Sequence, residues 1–130
     1  MPVKLNLAVA DRIMAAFFSG DRQTIHALVA DQFVLIPPRG SAHYEHYHGA
    51  DGFLRFIETF GAVYDLQKAD KTSAYPSEDG TVIVFELHLM GTVRASGVPF
   101  DTTLLEAWHF EGGKLVKIRP HWYEIPGSNP

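Results

Sequence analysis

Apolar residues recur three and four positions apart from Leu7 to Phe18, through Ala10, Ile13, Met14 and Phe17. That spacing predicts an amphipathic helix. Ser19-Gly20-Asp21 ends it, and Asp21 is placed to cap a short second helix running through Leu28 and Val29. The apolar run Phe33-Val34-Leu35-Ile36, closed by Pro37-Pro38, predicts a buried strand that goes no further. A loop rich in His and Tyr follows. Asp51 then precedes Phe53, Leu54, Phe56, Ile57 and Phe60, a third helix with an aromatic face.

Beyond Tyr64 the period shortens towards two. Leu66 to Tyr75 alternates weakly, as an edge strand does, and Thr81 to Val93 and Pro99 to Phe110 form two long strands joined through Ala95-Ser96-Gly97-Val98. Gly112-Gly113 turns the chain into a last strand, Lys114 to Tyr123. The element order is ααβαββββ, helices first and then an antiparallel meander, which is an α+β arrangement. We expect one domain over residues 1–124 and a flexible tail over residues 125–130, where Pro, Gly and Ser dominate.

With the hairpin turn centred on Ser96-Gly97, Leu87 lies opposite Glu106. Ile83, Phe85, Leu87, Leu89 and Val93 then share a face with Phe100, Thr102, Leu104, Glu106, Trp108 and Phe110. The face is almost wholly apolar, so the helices should cover it, and Glu106 is its one ionisable member. A carboxyl there would be desolvated, which favours the neutral form and marks a candidate functional group. A register one residue away would instead turn Glu106 to solvent. On the last strand Val116, Ile118, Pro120 and Trp122 form the inner set, while His121, like Glu86 and His88, belongs to the outer face.

The chain has 130 residues, 20% of them charged, with a formal net charge of −4. That balance lacks the basic footprint of a nucleic-acid or anionic-membrane partner. Absence of cysteine excludes disulfides, cysteine nucleophiles and Cys-zinc sites. No signal segment or long apolar span is evident, so a cytoplasmic location is expected. No phosphate-binding glycine loop or dinucleotide fingerprint occurs, and no cofactor is inferred.

The stretch from Ser41 to Gly49 holds His43, Tyr44, Glu45, His46, Tyr47 and His48. Zinc needs three or four converging ligands. In an extended loop His46 and His48 point one way and His43 the other, so no metal site is expected. Histidine does have the right pKa for general base work near neutrality. His43, His46, His48 and Tyr44 are therefore candidate catalytic groups beside Glu106, unless the loop lies on the surface.

Four stretches carry a family resemblance: Gly20-Asp21, Asp31-Gln32-Phe33-Val34, Gly49-Ala50-Asp51-Gly52-Phe53, and the run from Trp108 to Pro120. In order and spacing the chain resembles the nuclear transport factor 2-like superfamily, in particular its ketosteroid isomerase-like and SnoaL-like (polyketide cyclase) branch. The resemblance implies a cone-shaped, curved antiparallel sheet with three helices on its concave face, an apolar cavity, and commonly a homodimer formed through the sheet. Residues expected to line the cavity are Ile13, Phe17, Ile36, Phe53, Phe56, Ile57 and Phe60, then Phe85, Leu87, Leu89, Leu104, Trp108, Ile118 and Trp122.

Steroid isomerases of that branch use a tyrosine on the first helix, a carboxylate base at the end of the first strand, and a protonated acid on the penultimate strand. The first two positions fall here at Ile13 and at Ile36 or Pro37, so both groups are lost, while the third falls at Glu106. Classical steroid isomerase activity is not expected. One fold of this kind hosts many chemistries. Two expectations follow: a cofactor-free isomerase, cyclase or dehydratase acting on a small hydrophobic carbonyl compound, or a non-catalytic ligand-binding or dimerisation module.

Overall fold

A computed structural model of the chain describes residues 2–41 and 43–126. Its elements are α1 (Pro2–Ser19), α2 (Arg22–Leu28), β1 (Val29–Leu35), β2 (Tyr47–His48), α3 (Gly49–Val63), β3 (Tyr64–Pro76), β4 (Val82–Val93), β5 (Pro99–Glu111) and β6 (Lys114–Trp122). Helix α1 begins five residues earlier than its apolar period suggested, with Pro2 in the first turn, where a missing N–H costs nothing. Its buried stripe is Asn6, Val9, Ala10, Ile13 and Ala16. Asn6 tolerates burial because its amide donates to the Gly80 carbonyl at 2.8 Å. Asp21 caps α2 as expected, its carboxylate accepting from the Thr24 N–H at 3.1 Å.

The six strands form one sheet in the order β2-β1-β6-β5-β4-β3. The expected curved antiparallel sheet has one parallel pair, β1 beside β6, so the sheet is mixed. Helix α3 and the meander β3–β5 lie between those two strands in sequence, and that long connection makes a parallel pairing feasible. The short strand β2, which the sequence did not reveal, pairs antiparallel with the end of β1. Bulges interrupt β3 against β4 between Leu66 and Lys68 and between Lys71 and Ser73. Such insertions bend and twist the strand that carries them, and they suit a curved, unclosed sheet.

The hairpin register differs from the expected one. Val93 accepts from Ser96 and Gly97 and donates to Val98, which sets Phe85, not Leu87, opposite Glu106. The offset is two residues, and an even offset leaves every side chain on its face. Glu106 therefore points inward, between Phe85 on one side and Pro120 on the other. The core runs between this face and the helices, from Ile13, Ile25 and Phe33 to Phe85, Leu104 and Leu115, all essentially without exposed surface. The expected tail begins anchored: Pro126 is buried and its carbonyl accepts from the Tyr64 hydroxyl at 3.1 Å. Residues 127–130 lie outside the described residues.

Candidate functional site

Between α1, α3 and the inner face of the sheet lies a cavity of about 310 Å³. A dry cavity of about 150 Å³ holds benzene, so this one suits a molecule on the order of twice that size. Helix α3 sends Phe53, Phe56 and Phe60 into it, and α1 contributes Ile13, Met14, Phe17 and Phe18. The sheet supplies Leu66, Ala69, Leu87, Leu89, Leu104, Trp108, Ile118, Pro120 and Trp122. The ionisable side chains in the wall are Asp11, His43, Lys71 and Glu106. Asp11 and Lys71 form an ion pair at 2.6 Å with partly exposed side chains, which places them at the rim.

Glu106 is half-buried by area and lines the cavity. Desolvation raises its carboxyl to about 7, although the Trp108 indole N–H works the other way by donating to its Oε1. That bond measures 3.1 Å and links neighbours on the same face of β5, so it also fixes the carboxyl's orientation.

His43 reaches the cavity because the loop before it is folded, not extended. Ser41 turns back on the Pro38 carbonyl through both its amide (3.2 Å) and its hydroxyl (2.8 Å). Gly40 sits at a φ of +89° within that turn, a backbone only glycine adopts without strain. The Tyr44 amide then bonds the Ser41 carbonyl, and the Tyr47 hydroxyl donates to the His43 carbonyl at 2.8 Å. Held this way, the imidazole is only 2% exposed. Its ring lies 5.2 Å from Phe60, 5.5 Å from Tyr64 and 6.0 Å from both Phe56 and Trp122. Burial pushes its pKa down to about 4, so the ring is neutral near pH 7.

Other candidates from the loop do not join it. Tyr44 and His46 are exposed and bond one another at 3.3 Å outside the cavity. His48 is exposed in β2 at the entry to α3. Strand-like alternation after the turn turns both histidines away from the ring that is buried. Among the described residues no three His, Cys, Asp or Glu side chains converge as metal ligands.

Three expected lining residues also lie elsewhere. Ile36 is 44% exposed and faces an outer groove beside Pro38, because alternation along the end of β1 gives the inward position to Pro37. Ile57 opens on a shallow surface groove with Gly61 and Arg94. Phe85 is fully buried behind the wall, its ring 5.3 Å from Trp108. The remaining expected residues, Ile13, Phe17, Phe53, Phe56, Phe60, Leu87, Leu89, Leu104, Trp108, Ile118 and Trp122, all line the cavity.

Leu66 and Lys71 carry no alternation signal, since the bulges in β3 scramble the pattern that would reveal an inward face, and Asp11 of α1 joins the wall as the ion-pair partner of Lys71. Trp122 carries a further signal, an indole N–H that is buried without an acceptor among the described residues. Its cost of about 1–3 kcal/mol is a feature of the cavity wall that packing alone does not explain.

A family model for the SnoaL-like domain matches residues 10–118. No protein of curated function matches the sequence. Solved structures do match in fold. Bal32a, from a soil-derived mobile gene cassette, is 20% identical with a TM-score of 0.82, over 96% of this chain and 94% of that one. An NTF2-like protein from Burkholderia xenovorans LB400 is 15% identical with a TM-score of 0.80, over 92% and 90%. A protein with a ketosteroid isomerase-like fold from Catenulispora acidiphila DSM 44928, in complex with trimethylamine, is 14% identical with a TM-score of 0.70, over 87% and 83%. At these identities the likeness is one of fold. No helix among the described residues is long and apolar enough to cross a membrane.

Proposed function

The chain belongs to the SnoaL-like domain family, and from that premise we propose that it is a cofactor-free acid–base catalyst acting on a small, largely apolar carbonyl compound. One observation carries the reading: Glu106 and His43 line the same apolar cavity with their affinities for a proton reversed. Glu106 is raised to about 7 and His43 lowered to about 4. Carboxyl and imidazole pKa values pushed by their surroundings are how acid and base roles are assigned at one pH.

Between those two values Glu106 holds its proton and His43 has none. Glu106 then donates to the substrate's carbonyl oxygen, and the His43 ring accepts a proton from the carbon beside it, giving an enol. Returning the proton to another carbon gives isomerisation. Loss of a β-hydroxyl gives dehydration, and attack of the enol on a second carbonyl gives cyclisation. Hydrogen-bond donors aimed at a developing oxyanion are worth most in a water-poor site such as this. The positions where a steroid isomerase holds its tyrosine and its base fall here at Ile13 and at Ile36 or Pro37, all apolar, and Ile13 and Pro37 are walls of the cavity.

Solvent deuterium incorporation beside the carbonyl, followed by NMR over a panel of small hydrophobic ketones, tests this reading. We expect wild-type protein to accelerate exchange and Glu106→Leu to lose 10²-fold or more of that rate. Binding without exchange by any ketone would instead support the second reading, a ligand-binding module. That reading is favoured by the two apolar positions and by the aromatic wall of Phe17, Phe56, Phe60 and Trp108, which also suits a small organic cation. Trimethylamine accompanies one relative, and an amine bound here would draw Glu106 towards its ionised form. We also propose that the outer face of the sheet, where His88 pairs with Asp101 at 2.5 Å, forms a homodimer contact. Asp101→Lys should then shift the sedimentation of the protein towards the monomer.

A further inference from the structure

The cavity's imidazole does not stand alone. Its Nδ1 lies 3.3 Å from the Tyr64 hydroxyl, which lies 3.1 Å from the carbonyl oxygen of Pro126. Tyr64 is buried in β3 and Pro126 is buried just past the last strand. We infer that the Pro126 carbonyl, acting through Tyr64, holds His43 as its Nδ1–H tautomer, so that Nε2 meets the cavity as a bare acceptor and favours a ligand that carries a donor for His43 as well as an acceptor for Glu106.

The count of donors fixes the tautomer. A proline carbonyl can only accept, and a tyrosine hydroxyl has a single proton. That proton goes to Pro126, because otherwise a buried carbonyl is left without a donor among the described residues. Towards His43 the Tyr64 oxygen then offers only a lone pair, and Nδ1 must carry the hydrogen. A neutral imidazole has one N–H, so Nε2 is bare. Burial raises the Tyr64 hydroxyl to about 12, which keeps the relay's proton in place across the working range. Tyr64 and Pro126 are positioning residues: neither appears in the cavity wall, and both act through the ring they orient.

The ligand half of the inference rests on the proposed function, while the tautomer half does not. A bare Nε2 and a protonated carboxyl together select a molecule with one acceptor and one nearby donor. A small β-hydroxy ketone has both, and an alkyl ether of the same compound has only the acceptor.

Long-range proton–nitrogen NMR of the unliganded full chain near pH 6 reads the tautomer directly. We expect a protonated Nδ1 and a bare Nε2 at His43; a protonated Nε2 overturns the assignment. In Tyr64→Phe the His43 signals should move towards the Nε2–H form while the other histidines stay put, and an unchanged Nδ1–H form would remove Tyr64 from the account. Should that variant fail to fold, the wild-type spectrum still decides. For the ligand, 4-hydroxy-2-pentanone should bind about tenfold more tightly than its methyl ether, the worth of a single hydrogen bond. Equal affinities overturn the donor preference and leave the tautomer standing. Absence of binding by either compound and by the simple ketones overturns the proposed function with it.

Discussion

Replacing Glu106 by Gln offers a thermodynamic test that needs no substrate. Glutamine keeps the side chain's volume and can still accept from the Trp108 indole, but it cannot ionise. In the wild type the folded carboxyl holds its proton up to about 7, against 4.5 for the free side chain. Between those values the unfolded chain releases the proton and the folded chain does not. Stability from this group is therefore fully present below pH 4.5, falls as pH rises, and levels off above 7. At about 1.4 kcal/mol per pH unit the whole span is worth about 3 kcal/mol, of which about 2–3 kcal/mol lies between pH 5 and 8.5. Urea unfolding of both proteins at those two pH values measures it. Every other titrating group is common to both chains, so the difference between them isolates Glu106. Glu106→Gln should gain about 2–3 kcal/mol on the wild type as pH is raised. Stability curves that run parallel would mean that Glu106 is not desolvated, and the acid role assigned to it would fall.

The same two groups set a pH profile for any turnover: kcat/KM should rise through about 4 as His43 loses its proton and fall through about 7 as Glu106 loses its own. An activity that instead grows through pH 7 would make the Glu106 carboxylate the base. His43→Phe should blunt acid denaturation, because a buried imidazole lowered from 6.5 to about 4 removes about 3 kcal/mol of stability between pH 7 and 4, which urea midpoints at the two pH values will show. Gly91→Ala tests the sheet: a Cβ there would clash with the Asp65 carbonyl oxygen across the β3–β4 pair, and a loss on the order of 2 kcal/mol is expected by the same assay.

Much of this arrangement is legible along the chain where a face is continuous. Phe53, Phe56 and Phe60 share one side of a helix whatever packs against it, and Glu106 stays with Leu104 and Trp108 because an error of two in the hairpin register does not change faces. Legibility ends where a local irregularity resets the period. The bulges of β3 hid the inward positions of Leu66 and Lys71. Past the end of β1 at Leu35 the alternation cannot be followed, and Ile36 and Pro37 look equivalent, although only Pro37 turns in. Within the loop, an extended reading cannot tell which histidine is buried. The answer depends on two turns and on Tyr47, whose hydroxyl clamps the chain four residues back. The link from Tyr64 to Pro126 joins residues 62 positions apart and has no local signature.

In the proposed mechanism one apolar cavity reverses the proton affinities of a carboxyl and an imidazole. Site-resolved NMR titration of the Glu106 side-chain carboxyl carbon and the His43 ring nitrogens, in one sample from pH 3.5 to 8.5, tests it most directly. His43 should be neutral at every pH above about 4, and Glu106 should keep its proton up to about pH 7. Titration in the ordinary order, Glu106 near 4.5 and His43 near 6.5, would contradict the mechanism.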